Sequence, residues 1–278
     1  MQSKEIEHEI KFKPRRTTQI KLLSSLKEDS IDGVIETISS ALGITGAYSL
    51  QPTDAEAITD VYHDTDDLCI FKENGCLRVR HSGKDIQITV KLNRGHVNGE
   101  FTRDEISMNC DQTTLQQHIR ENFVEITRKA LPHLSGQKLR PKIVVKNSRR
   151  LFSMQSQQGI LNEESFKAKL SFDMFTYVNP VSHQSSDEMY ELEIEALNEE
   201  ANSRLNGIGN NIRKLIRDFE PSTESKYEHG VKFFHLDQSP FNKRFFNWSS
   251  GPGLNWLSLW IGLVGIILTI LGLYLTIK

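Results

Sequence analysis

The 278-residue chain has no surplus of basic charge; its formal net charge is −2. Without a bulk basic field, general nucleic-acid binding is excluded. Any site for a polyanion must gather its lysines and arginines locally. Cysteine is scarce. Cys69, Cys76 and Cys110 are odd in number and lack zinc spacing, which excludes a disulfide framework and fits a reducing compartment. None of the nine histidines falls in an H-E-x-x-H or clustered pattern. There is no P-loop, no G-x-S-x-G and no kinase signature set. Asp64-Thr65-Asp66-Asp67 begins like a calcium loop, but Cys69 stands at the sixth position where that loop needs glycine, so an EF-hand is excluded. No hydrophobic leader opens the chain. Met1 to Lys4 runs straight into charged sequence, and no signal peptide is expected. The hydrophobic fraction of 37% and charged fraction of 25% are ordinary for a folded domain long enough to bury a full core.

What the chain does have is alternating charge. Glu7, Glu9 and Lys11 fall on one face of a strand, with Ile6, His8, Ile10 and Phe12 on the other. Glu191, Glu193 and Glu195 repeat the pattern against Leu192, Ile194 and Ala196. Basic segments with the same period lie between them. Arg78 and Arg80 share a face; Gln87, Thr89, Lys91 and Asn93 share another; Arg103 and Glu105 are two apart; Lys167, Lys169, Ser171 and Asp173 alternate with Phe166, Ala168, Leu170 and Phe172. Two architectures satisfy strands with one charged and one apolar face. One is a sheet with its charges in solvent. The other is a closed barrel with a polar lumen and an apolar outside covered by helices.

The particular residues favour the barrel. The chain resembles the CYTH superfamily, the triphosphate tunnel metalloenzymes. Glu7-x-Glu9-x-Lys11 followed by Phe12 matches the family's opening signature. Tyr62-His63-Asp64-Thr65, Gly75-Cys76-Leu77-Arg78-Val79-Arg80, Thr89 with Lys91, and Arg103 with Glu105 follow in family order. Then come a basic strand after Pro141, a strand bearing Asp173, Glu-x-Glu within 191–195, and Ser225-Lys226-Tyr227. Two features depart from the pattern. Phe175 stands where many members have glycine, and Lys146, Arg149 and Arg150 compete for the places on the basic strand.

The resemblance implies an α+β fold: an antiparallel eight-stranded closed tunnel with helices outside. It implies metal-dependent hydrolysis of a triphosphate. Glu7, Glu9 and Lys11 would be catalytic, and Glu7, Glu9, Glu191, Glu193 and Glu195 would hold Mg²⁺ or Mn²⁺, hard ions suited to carboxylate oxygens. Lys11, Arg78, Arg80, Lys91, Arg103, Lys146, Arg149 and Lys226 would surround the phosphate chain. Arginine gives bidentate contacts to phosphate and lysine a compact charge. Glu105 and Asp173 would support these groups from behind. Inorganic tripolyphosphate is the favoured substrate, since nothing reads as a base-recognition pocket. Thiamine triphosphate hydrolysis and cyclisation of ATP are family alternatives. A non-catalytic polyphosphate or nucleotide sensor is a third reading, and the paired carboxylates argue against it.

Apolar periodicity predicts helices over 17–28, 30–42, 113–131 and 198–219, a covering layer for such a barrel. The tunnel domain is expected over residues 1–235, followed by a juxtamembrane linker over 236–254. Residues 255–277 read as a transmembrane anchor. The 22 residues after Asn255 carry no charge and would span about 33 Å as a helix. Trp248, Trp256, Trp260 and Tyr274 suit the interfaces, and only Lys278 follows. Lys243-Arg244 predicts a cytoplasmic catalytic domain, which leaves the Asn247-Trp248-Ser249 sequon silent. Gly262, Gly265 and Gly272 offer a helix-packing face for a homodimer, although their spacing is not G-x-x-x-G.

Overall fold

The computed structural model describes residues 2–15, 33, 35–40, 48–97, 100–111, 116–134, 136–156, 166–217 and 219–238. Eight long strands follow the alternating segments: β1 (Gln2–Pro14), β2 (Tyr48–Asp64), β3 (Gly75–Ser82), β4 (Asp85–Val97), β5 (Glu100–Asp111), β6 (Arg140–Ser156), β7 (Ala168–Val178) and β8 (Met189–Ala196). Each pairs antiparallel with its neighbours in the order β5-β4-β3-β2-β6-β7-β8-β1. β1 closes the ring by also pairing with β5, so that no long edge remains exposed. A short strand, β9 (Phe219–Pro221), adds to the end of β1. The expected eight-stranded closed barrel is present, with β9 as an addition that the periodicity did not reveal.

The period of two divides every strand between lumen and exterior. Outward-facing Ile10, Phe12, Leu170, Phe172, Leu192 and Ile194 form one apolar cluster with Ala201, Leu205, Ile208 and Ile212 of α3 (Glu199–Leu215). Leu77, Val79, Ile86, Ile88, Val90 and Met108 form a second, covered by Ile126 of α2 (Gln116–Ala130) and Ile70 of α1 (Cys69–Lys72). Burying each such side chain contributes about 1.5–3 kcal/mol, so the barrel's main core lies outside its wall. α3 is capped by Asn198, whose side chain accepts from Ala201 N at 3.0 Å. It rests directly on β1 at Gly209, where a Cβ would come within 2.7 Å of Ile10 Cδ1.

One end of the lumen is plugged by the start of α4 (Lys226–Phe233). Tyr227 stacks on Tyr62 with centroids 5.3 Å apart, and its hydroxyl donates to Asp64 Oδ2 at 2.7 Å. Gly230 permits this entry, since a Cβ there would lie 3.0 Å from Ile143 and 3.1 Å from Tyr177. Asp64 also accepts from the backbone N–H groups of Ile70 at 3.0 Å and Phe71 at 2.9 Å. That carboxylate is consumed in tying α1 and the plug to β2.

The chain divides into compact units Met1–Gly230 and Val231–Lys278, and the barrel lies in the first. In the second, described residues 231–238 complete α4 and turn, with Leu236 N donating to Val231 O at 2.9 Å. No helix among the described residues is long and apolar enough to cross a membrane. The expected anchor at 255–277, the linker beyond 238 and the expected helix over 17–28 lie outside the described residues. Of the helix expected over 30–42, residues 35–40 are helical.

Candidate active site

Inward alternation brings charged residues from β1, β3, β4, β5, β6, β7, β8 and α4 around a cavity of about 200 Å³. Lys11, Arg78, Arg80, Lys91, Arg103, Arg149, Lys169 and Lys226 line it with Glu5, Glu7, Glu9, Glu105, Glu193 and Glu195. So many buried cations would repel one another unless carboxylates were interleaved among them. The register supplies that interleaving, with Glu7 opposite Arg103, Lys91 opposite Glu105 and Lys11 opposite Glu193.

On the β1 side, Lys91 Nζ donates to Glu7 Oε1 at 2.5 Å and lies 2.8 Å from Glu105 Oε2. Arg103 pairs with Glu9, and Lys11 Nζ is 3.3 Å from the same carboxylate. Burial, reinforced by Glu9, pushes the Glu7 carboxyl above its ordinary range despite Lys91. Burial acts upward on Glu105 too, but Lys91 and Arg78 outweigh it and hold that carboxyl at about 2. Glu9 is likewise drawn down against its burial by Lys11 and Arg103. Among the described residues, Glu7 Oε2 and Arg78 Nε are buried with no hydrogen-bond partner.

The β8 side is more tightly paired. Arg149 makes two 2.6 Å hydrogen bonds to Asp173 and a third, at 2.9 Å, to Glu193. Lys226 Nζ lies 2.9 Å from Asp173 and 2.8 Å from Glu193 and also donates to Glu191. Lys11 donates to Glu193 at 2.5 Å. Burial works against Glu193's charge, yet Lys11, Lys226 and Arg149 hold its carboxyl well below the ordinary range. Glu191 goes the other way. Burial outweighs Lys226 and Lys11, and its carboxyl is pushed up to about 7. The Lys226 ammonium, shared with Asp173 and Glu193 as well, is held well above its usual value against its own burial.

Most of the expected site residues meet in the lumen; Lys146 does not. It is exposed on the outer face of β6. Arg149 is an odd number of residues away, so the pleat puts the two on opposite faces, and only Arg149 reaches Asp173. Arg150 shares the outward parity. Glu195 is lumenal but pairs with Lys169 at 2.7 Å, apart from the Glu191–Glu193 group. Asp173, expected behind the site, lies fully buried against Arg149 and Lys226 and is not among the residues that line the cavity. Phe175 lies beneath Lys226 Nζ, 5.2 Å from the ring centroid, where its electron-rich face supports the ammonium.

The charge pattern missed Asp60. It is fully buried on β2, takes a two-pronged contact from Arg80 at 2.7 and 2.8 Å, and lies 3.9 Å from Arg78. Burial opposes its charge, but Arg78 and then Arg80 hold it at about 2. The available signal was parity, since Asp60 stands two residues before lumenal Tyr62.

Two carboxylate groups could hold a cation. Asp173, Glu191 and Glu193 each offer an oxygen within 4.8 Å of the others, but Lys226 already serves all three. Glu7 and Glu9 are adjacent on the lumen face, and Glu7 keeps one buried oxygen unengaged. This all-oxygen donor set fits Mg²⁺ or Mn²⁺.

No curated protein sequence matches the chain. Solved structures similar to it include a Bacillus halodurans protein provisionally named an adenylate cyclase. It is 20% identical, with 83% of this chain and 98% of that one covered and a TM-score of 0.47. A Hippeastrum protein, provisionally named an adenylyl cyclase and described as having dominant triphosphatase activity, is 13% identical over 84% of this chain and 98% of its own, with a TM-score of 0.44. The RNA triphosphatase of S. pombe is 14% identical over 77% and 85%, with a TM-score of 0.35. The CYTH domain matches residues 41–231, more than half of the chain. With that match spanning all but the first strand of a charge-filled barrel, this protein belongs to the CYTH family.

Proposed function

We propose that this protein hydrolyses a triphosphate inside the barrel, with a divalent cation, Mg²⁺ or Mn²⁺, and with inorganic tripolyphosphate as the favoured substrate. The observation that carries the reading is the mixed lumen, in which eight cationic side chains share one cavity with six carboxylates. A purely structural ion-pair network leaves few unpaired polar atoms, whereas among the described residues Glu7 Oε2 and Arg78 Nε are both buried and unpartnered. One offers a ligand oxygen for a cation and the other an N–H for an anion. Beyond Arg80, Gln87, Arg149 and Lys169 the cavity meets a vestibule of about 600 Å³ lined by Glu56, Ser82, Asp85 and Asn109, with no aromatic side chain among the described residues that line it. That supports an inorganic chain over a nucleotide.

Phosphoryl transfer depends mainly on positioning and charge neutralisation. Arg78 is the first contact for the phosphate chain, because its one ion pair among the described residues, to Asp60, is long at 3.9 Å. Arg103, Arg149, Lys11, Lys91 and Lys226 then exchange carboxylate partners for phosphoryl oxygens. Each cation is held in place before substrate arrives, so little reorganisation is needed as negative charge builds on the leaving diphosphate. Glu7 and Glu9, with Glu191 and Glu193 across the lumen, are the residues that would hold metal. A bound divalent ion supplies Lewis-acid neutralisation of phosphoryl oxygens and a more acidic water. Glu191, whose carboxyl is pushed up to about 7, can hold a proton near neutrality.

Purified full-length protein should release phosphate from tripolyphosphate with Mg²⁺ or Mn²⁺, faster than from ATP or thiamine triphosphate. Cyclic AMP as the main product from ATP would instead make the protein a cyclase. No turnover of any of the three would leave the sensor reading.

We further propose that residues 255–277 anchor the barrel to a bilayer, with the catalytic domain on the cytoplasmic side. The uncharged run and Lys243-Arg244 support this. The full chain should stay with membranes through alkaline extraction, and release would overturn the anchor.

A further inference from the structure

A second cavity, of about 250 Å³, lies on the other side of Lys226 from the site described above. Ser225 and Lys226 line both, so the start of α4 forms the wall between them. The two cavities differ in chemistry. The first gathers eight cationic side chains and six carboxylates. Among the described residues that line the second are two ammonium groups, Lys13 and Lys226, and three carboxylates, Glu191, Glu220 and Glu224. Its walls carry Phe175, Tyr177, Tyr190 and His229. Tyr177 packs against both Phe175 and His229, with ring centroids 5.3 and 5.5 Å away. At the base, the Phe175 ring already carries a cation, with Lys226 Nζ 5.2 Å from its centroid.

These walls select a ligand. An anion entering from this side meets more carboxylates than cations, and Lys13 at the rim lies 3.8 Å from Glu220. A bare divalent ion would meet aromatic rings where it needs oxygen ligands. A small organic cation finds both of its favoured partners, ring faces and carboxylates. The volume is below that of drug-sized sites and limits such a ligand to about one ring with a cationic head.

We propose that this cavity binds a small organic cation with a quaternary or aromatic head, and that its occupancy strengthens phosphate-chain binding across Lys226. The second half rests on the triphosphate reading above; the first half does not. The coupling has a physical route. Glu191 lines the second cavity and not the first, and it accepts a hydrogen bond from Lys226. A bound cation shares Glu191 and the face of Phe175, which both now hold the Lys226 ammonium. It loosens Lys226 from this side and adds positive charge behind it. Both changes favour an anion in front.

The test uses the full chain with metal chelated and calorimetry with three probes: benzyltrimethylammonium, benzyl alcohol as its neutral counterpart, and tripolyphosphate. The cation should bind at least about tenfold more tightly than the alcohol. Glu220→Gln combined with Glu224→Gln removes two carboxylates that are partly exposed, and should weaken the cation about tenfold. At a concentration that saturates the parent alone, the cation should raise tripolyphosphate affinity about fivefold in the parent and much less in the double variant. Absence of saturable cation binding, equal binding of the alcohol, or parent-like cation affinity in the double variant would each overturn the site. The alcohol comparison decides the charge requirement without any substitution. Unchanged or weakened tripolyphosphate affinity with the cation bound would overturn the coupling. A parent that binds the cation but no tripolyphosphate would sink the triphosphate reading and the coupling and leave the cation site standing.

Discussion

The two acidic strands look alike in sequence and behave differently in the fold. β1 carries Glu7-x-Glu9 and β8 carries Glu191-x-Glu193. Glu193 is served by Lys11, Lys226 and Arg149 at 2.5, 2.8 and 2.9 Å. Glu7 has Lys91 on one oxygen and no partner on the other. The β8 side is therefore the more fully paired of the two, and the β1 side keeps one buried carboxylate oxygen with no partner among the described residues. Identical residue spacing does not fix a role; the neighbouring strands and the α4 plug do.

The largest expected effect breaks the more fully paired side. Glu193→Ala takes away the carboxylate that Lys11, Lys226 and Arg149 share, leaving them only Glu9, Glu191 and Asp173. Stability should fall by about 3–5 kcal/mol, as when one member of a buried pair is removed, read as a lowered denaturation midpoint. A midpoint unchanged within error would show that the network is not structural.

Next, Glu7→Gln tests the β1 side. Lys91 keeps Glu105 at 2.8 Å, and repulsion from Glu9 is relieved, so the melting temperature should barely move. Mg²⁺-dependent tripolyphosphate hydrolysis should drop by at least about 100-fold, the size of effect expected when metal-assisted stabilisation is lost. Unfolding as severe as that of Glu193→Ala would erase the contrast between the strands.

A smaller effect separates the two glutamates within β8. Glu191 has its carboxyl pushed up to about 7 in the folded protein against an ordinary 4.5. Between those values the folded state holds a proton that the unfolded chain releases, so this group's contribution to stability falls as pH rises from about 4.5 to 7 and the penalty is complete above 7. Glu191→Gln should therefore raise the melting temperature by a few degrees at pH 8 and by much less near pH 4.5. An equal gain at both pH values would mean that the carboxyl is not protonated on folding.

The smallest effect expected is none. Lys146→Ala, on the outer face, should leave tripolyphosphate KM unchanged, and a clear rise would return Lys146 to the site.

Much of this was legible in the sequence because a strand's side chains alternate. The period of two placed Glu7, Glu9, Lys11, Arg78, Lys91, Arg103 and Glu193 on common faces, and the family resemblance turned those faces inward. Reading charge alone selected Lys146 wrongly, since that lysine has the opposite parity to Arg149. It also passed over Asp60, whose strand bears no basic run.

The sequence by itself determined the strands, their charged faces and their apolar backs, because these depend only on local periodicity. The tertiary structure decided which carboxylates are already neutralised. Glu193 and Asp173 meet Lys226 only because α4 enters one end of the barrel, with Tyr227 on Tyr62 and Gly230 against Ile143 and Tyr177. Those contacts join residues far apart along the chain. Their electrostatics follow from burial and distance, which no local pattern encodes.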